Sequence, residues 1–182
     1  METQTTTATN WVIDPSHSEV QFKVKHLMVS TVTGLFSQYE GNIETQGDDF
    51  DGAKITFSAD IASITTGNEQ RDGHLKSADF FDAEQFPKLT FTSTEFKKTN
   101  DDEYTLVGDL TLRGVTKSVK LKAEYGGQMQ DFYGQTKAGF EVAGSIKRKE
   151  FGLSWDGVTE AGGVVVSDDV RLVMNIQVTK QA

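Results

Sequence analysis

His17–Leu27 reads HSEVQFKVKHL, and its alternation decides the fold class. Val20, Phe22 and Val24 fall on one side of an extended chain, while Glu19, Gln21, Lys23 and Lys25 fall on the other. A period of two residues with one apolar and one charged face marks an antiparallel strand that is wet on one side. Thr31–Thr45 keeps the rule but changes parity. Val32, Gly34 and Phe36 occupy even positions, and Tyr39, Gly41 and Ile43 occupy odd ones. A β-bulge at Ser37–Gln38 accounts for the flip.

The same period runs outward through the chain. Ile55, Phe57, Ala59 and Ile61 share a face, followed after Pro87 by Leu89 and Phe91. Tyr104, Leu106, Gly108, Leu110 and Leu112 form the next set, then Val119, Leu121, Ala123 and Tyr125. Ala138, Phe140, Val142, Gly144 and Ile146 follow, and Val170, Leu172, Met174, Ile176 and Val178 close the series. These are eight long strands, most joined by short turn-rich links such as Arg113–Lys117 and Gly126–Gly134, which favour antiparallel neighbours. Thr66–Gln85 breaks the pattern and predicts a helical insertion of one or two short helices, with Ser77 capping one over Ala78–Gln85. The expected organisation is a polar tail over residues 1–10 and one barrel domain over 11–180.

Composition narrows the function. The chain has 182 residues with 12 Phe and 10% aromatics, which bulk disorder does not tolerate. Eighteen Lys+Arg against 27 Asp+Glu give a net charge of −9. That excludes nucleic-acid or anionic-membrane binding by bulk charge and leaves only a local basic patch. With no Cys, disulfides, thiolate metal sites and a Cys nucleophile are absent. METQTTTATN has no apolar run, and no stretch is long enough for a membrane helix. The sequence as it stands therefore reads as cytoplasmic, or as periplasmic if a native leader has been replaced by a bare Met.

Eight alternating strands form either a sandwich or a barrel. Glycines at apolar-face positions (Gly34, Gly41, Gly108 and Gly144) leave space on the inner side. An all-β, antiparallel eight-stranded barrel encloses packed side chains or one slender ligand. Face parity gives the apolar lining. Val20, Phe22, Val24 and Phe36 come from the first two strands, and Phe57, Ile61 and Phe91 from the next two. Leu110, Leu112, Phe140 and Val142 follow, then Leu172, Met174 and Ile176. At the mouth, four residues are candidates for a head group or lid: His26, Phe80, Phe81 and Arg148. Arg148 extends the inward face of Phe140–Ile146. It must pair with Asp14, Glu150 or Asp156, or meet a polar head. Adjacent residues on a helix point about 100° apart. One of Phe80 and Phe81 should therefore seal the barrel, and the other should reach the mouth or a second subunit. His17, His26 and His74 lack metal-ligand spacing, and no G-x-S-x-G elbow occurs. No metal, cofactor or catalytic residue is expected.

Four stretches in order carry a family resemblance: Trp11–Phe36, Ser63–Pro87, Gly108–Val119 (GDLTLRGVTKSV) and Lys147–Leu153 (KRKEFGL). Together they resemble the YceI-like, polyisoprenoid-binding family from about Trp11 to Val178. The resemblance implies a lipocalin-like barrel with a helical insertion around a long isoprenoid, quinone-like or fatty-acid-type lipid. It also implies a homodimer and no catalytic residues. Two readings from other classes stand beside a carrier: an enzyme acting on a bound isoprenoid or fatty-amide lipid, and a filled barrel that serves as an interaction module.

Overall fold

The alternation in the sequence is the pleat of a closed antiparallel barrel. The computed structural model describes residues 8–27, 29–47, 49–155 and 166–181. In chain order the strands are β1 (Ala8–Ile13), β2 (Glu19–His26), β3 (Ser30–Phe36), β4 (Tyr39–Gln46), β5 (Asp49–Asp60) and β6 (Ile64–Thr65). After α1 (Glu69–Lys76) come β7 (Lys88–Lys98), β8 (Glu103–Leu112), β9 (Val115–Gln130), β10 (Thr136–Lys147) and β11 (Val166–Lys180). The hydrogen-bonded order is β1-β4-β5-β7-β8-β9-β10-β11, and β1 closes the ring on β11.

The eight-strand count holds because two of the barrel's strands are bent. β2 continues β1 along the same neighbour, pairing Phe22 with Leu172, while Trp11 pairs with Lys180. A one-turn 3-10 helix at Pro15–His17 makes that corner. The opposing strand bends in step, so no bulge sits at Ser37–Gln38. The strand breaks there, with β3 paired to β2 and β6, and β4 paired to β1 and β5. The parity flip is this change of partners. Ala8–Asn10, assigned above to a polar tail, already belong to β1 and pair with Glu44–Gln46.

The glycines on the inner faces do not leave space for a ligand. Phe22 lies over Gly34 and Phe91 over Gly108, where a Cβ would collide with each ring. Ile13 and Leu121 cover Gly41 and Gly144 in the same way. Glycine lets large side chains lie flat along the wall, which thickens the wall and keeps the centre clear.

The helical insertion lies within Thr66–Gln85 as expected, but its one α-helix among the described residues precedes Ser77. Asn68 caps α1 by accepting the Arg71 N–H at 3.0 Å, and Asp72 reaches back to the Thr66 N–H and hydroxyl at 2.8 and 2.6 Å. Ser77 is its C-terminal cap, and Ala78–Gln85 is a chain of turns rather than a helix. Asp82, at φ 50°, is incompatible with helix continuation there.

Candidate functional site

The barrel encloses an apolar cavity of about 200 Å³. Its wall comes from the faces the alternation marks: Val20, Phe22 and Val24 of β2, Phe36 of β3, Phe57 of β5 and Phe91 of β7. Leu110 and Leu112 of β8, Phe140 and Val142 of β10, and Leu172, Met174 and Ile176 of β11 complete the predicted set around it. Ile61 does not belong to this wall. It is buried in the one-turn 3-10 helix after β5, where its N–H donates to the Pro87 carbonyl at 2.9 Å.

Several wall residues fall outside the predicted lining. Leu89 shares parity with Phe91 and Leu106 with Leu110, and Leu121 lies on the apolar face of β9, from which no lining residue was predicted; all three were legible in the alternation. Phe96 was not, because β7 shifts register between Ser93 and Glu95 and reverses its faces.

Aromatic rings cluster toward both ends of the barrel. Away from α1, Phe50 stands 5.0 Å from both Trp11 and Phe140, and Phe96 stacks on Tyr104 at 4.6 Å. Tyr125 joins this plug 5.3 Å from Phe140. Burial pushes the Tyr104 and Tyr125 phenols up, so both stay neutral. Near α1, Phe36 meets Phe81 edge-on at 6.3 Å, and Phe80 meets His74 and Trp155 at 5.0 and 5.4 Å. Phe80 and Phe81 both line the cavity, Phe80 buried and Phe81 partly buried. The 100° argument fails because the pair lies in turns, where successive side chains are not fixed on a helical wheel.

This end is tied by cations bound to main-chain carbonyls. Arg148, only 4% exposed, donates to the carbonyls of Leu153 (2.6 Å), Trp155 (2.7 Å), Ser167 (2.8 Å) and Val166 (3.1 Å). Neither Asp14 nor Glu150 pairs with it among the described residues, and Asp156 lies outside them. Asp14 instead binds Lys137 at 3.3 Å and His17 at 2.8 Å. Arg113, in the β8–β9 turn, donates to the carbonyls of Phe80 and Gly152, each at 3.1 Å. Among the described residues His26 does not line the cavity; it ends β2, exposed, its backbone paired with Ser30 and with Val166. His74 Nε2 lies 2.9 Å from Asp79 and braces the turn that carries Phe80.

The wall thins along one seam. β5 and β7 pair only from Thr56–Asp60 to Lys88–Thr92. Beyond that, side chains bridge the strands: the Ile55 N–H donates to the Ser93 hydroxyl at 2.8 Å, and the Lys98 N–H to the Asp51 carboxylate at 2.9 Å. Phe96 lines both the outer groove at this seam and the cavity behind it.

Comparison with known proteins places this architecture. Residues 11–178 match the YceI-like domain. A UPF0312 protein of Staphylococcus aureus strain USA300 is 37% identical over 164 residues, 90% of this chain and 93% of that one. The Campylobacter jejuni YCEI protein, a crystal structure, is 33% identical, covers 100% of both chains and superposes with a TM-score of 0.75. A polyisoprenoid binding domain from Saccharophagus degradans, implicated in plant cell wall breakdown, shares the fold with a TM-score of 0.71. It is 17% identical, over 94% of this chain and 98% of that one.

Proposed function

Because the chain belongs to the YceI-like domain family, we propose that its barrel binds and carries a long-chain isoprenoid or related lipid, polyprenyl or quinone-like. The observation that carries this reading is the apolar cavity of about 200 Å³ held between two sets of aromatic rings. The fold shared with the polyisoprenoid binding domain of S. degradans supports it. The cavity favours a carrier over a filled-barrel interaction module.

Affinity comes from burial. Each methylene removed from water contributes about 0.8 kcal/mol. Two five-carbon units therefore supply about 8 kcal/mol before ordering costs, in the micromolar range. A volume below the roughly 300–1,000 Å³ of common ligand pockets suits a slender chain better than a fused ring system. A longer chain must displace a ring at one end, and Phe81 is the candidate, since its contact with Phe36 is edge-on and it is only partly buried. The reading needs no catalytic step, and the four carbonyls around Arg148 give that cation a positioning role at the cavity's α1 end.

The test is organic extraction and mass spectrometry of gently purified protein. The expected result is an apolar lipid near one per chain. An empty extract, together with no uptake of added farnesol or stearic acid, would sink the proposal.

A further inference from the structure

The β9–β10 hairpin runs past its neighbours. Pairing of β9 with β8 ends at Glu124, and pairing of β10 with β11 begins at Lys137. The tip beyond them carries Met129, Phe132 and Tyr133, which are 77%, 106% and 91% exposed. These are the most exposed large apolar side chains of the described residues apart from Val29. The tip is nevertheless built rather than loose. One Asp131 carboxylate oxygen accepts the N–H groups of Tyr133 and Gln135, each at 2.9 Å. The Asp131 N–H donates to the Gln135 carbonyl at 2.8 Å, the Gly134 N–H to the Asp131 carbonyl at 3.1 Å, and the Gln130 amide to the Gly134 carbonyl at 3.1 Å. An ordered turn thus spends its one charge internally and holds two aromatic rings in water.

From this geometry we infer that the hairpin tip is a membrane-docking wedge that inserts Phe132 and Tyr133 into the interfacial region of a phospholipid bilayer. Tyr133, with an apolar ring and a polar hydroxyl, suits the headgroup level, and the wholly apolar Phe132 suits the acyl boundary just beneath it. The residues around them, Gln128, Gln130 and Gln135, are uncharged, so nothing in the tip selects anionic lipid. The chain's net charge of −9 opposes it. The partner is therefore a bilayer of zwitterionic phospholipid. The tip lies at the end opposite α1, because the other end of β9 follows the turn whose Arg113 binds Phe80 and Gly152. The docked hairpin is also the one that carries Tyr125 and Phe140 of the ring plug, which sets the plug toward the membrane.

This inference extends the lipid-carrier reading, but vesicle binding is read without reference to what the barrel holds, so the two fail separately. The experiment is flotation of the full chain with phosphatidylcholine vesicles, compared with the Phe132→Ser/Tyr133→Ser double variant. Both rings are exposed and the Asp131 bonds are untouched, so the variant should keep the melting temperature of the parent. The expected result is vesicle binding by the parent and at least a tenfold loss in the variant. Replacing a third of the phosphatidylcholine with phosphatidylglycerol should not strengthen binding at low salt. Equal flotation of the two proteins, no flotation of the parent, or binding that requires phosphatidylglycerol would overturn the inference. So would a variant that changes only the solution mass, since the tip would then be a contact between copies of this chain.

Discussion

Removing whatever fills the barrel should cost the protein much of its thermal stability. An apolar cavity that stays open forfeits about 24 cal/mol per Å³. Over the cavity volume of about 200 Å³ this comes to about 5 kcal/mol. For a domain of this length, each kcal/mol moves the melting temperature by about 2–4 °C, so the lipid-free barrel should melt about 10–20 °C below the loaded one. Linkage gives a similar figure from the other side, since a ligand held at about a thousand times its Kd stabilises by about 4 kcal/mol. The assay is calorimetry on one preparation divided in two, one half stripped on an apolar resin and verified empty by mass spectrometry. Adding the extracted lipid back should restore the higher transition. If verified empty and loaded protein melt within about 2 °C of each other, the interior has collapsed onto itself or was never open, and the cavity argument is wrong.

Two further outcomes follow from the polar contacts at the barrel's ends. Arg148→Met should destabilise by about 3–5 kcal/mol in urea titrations, because four carbonyls lose a buried cation. Arg148→Lys should fall between Arg148→Met and the parent, and a loss under about 1 kcal/mol for Arg148→Met would mean that water replaces the guanidinium without cost. Asp14 behaves differently: its bonds to His17, Ser16 and Lys137 hold its carboxyl far below the usual carboxylate range. A depressed folded pKa adds stability that is present above the unfolded value near 3.8 and fades as pH falls below it. Asp14→Asn should therefore be less stable than the parent at pH 7, and the gap should narrow as pH drops below about 4. A gap that is constant from pH 7 to pH 2 would show that the charge of Asp14 contributes nothing.

The strands and their inner faces were legible because a pleat repeats every two residues and water sorts the two sides. Val20, Phe22 and Val24 announce one wall of the cavity from HSEVQFKVKHL alone. Leu110, Phe140 and Met174 follow from the same rule. The rule failed where the chain leaves the pleat. At Ser37–Gln38 the flip in parity was visible, but a bulge and a change of partner strand leave the same trace in sequence. At Ser93–Glu95 a register shift hid Phe96 from a parity count.

Other features were set by groups that carry no side-chain signal. Arg148 finds main-chain carbonyls up to 19 residues away, and carbonyls are present at every position, so these partners were unreadable, while Asp156, one of the carboxylates the sequence offered, lies outside the described residues. Ser77 is as good at ending a helix as at starting one, and only Asn68 and Asp72, bonded around the first turn of α1, decided which. Phe132 and Tyr133 looked like part of a turn-rich link, since sequence gives a residue's preference for burial but not whether a neighbouring strand extends far enough to cover it. The sequence by itself therefore determined a barrel and which residues face its inside, because alternation is a local consequence of the backbone. Whether those faces leave an open centre, and what ties its ends, was decided only in three dimensions. Glycines such as Gly34 and Gly108 receive the rings of Phe22 and Phe91 instead of a ligand, and that depends on which side chain on the next strand lies across the gap.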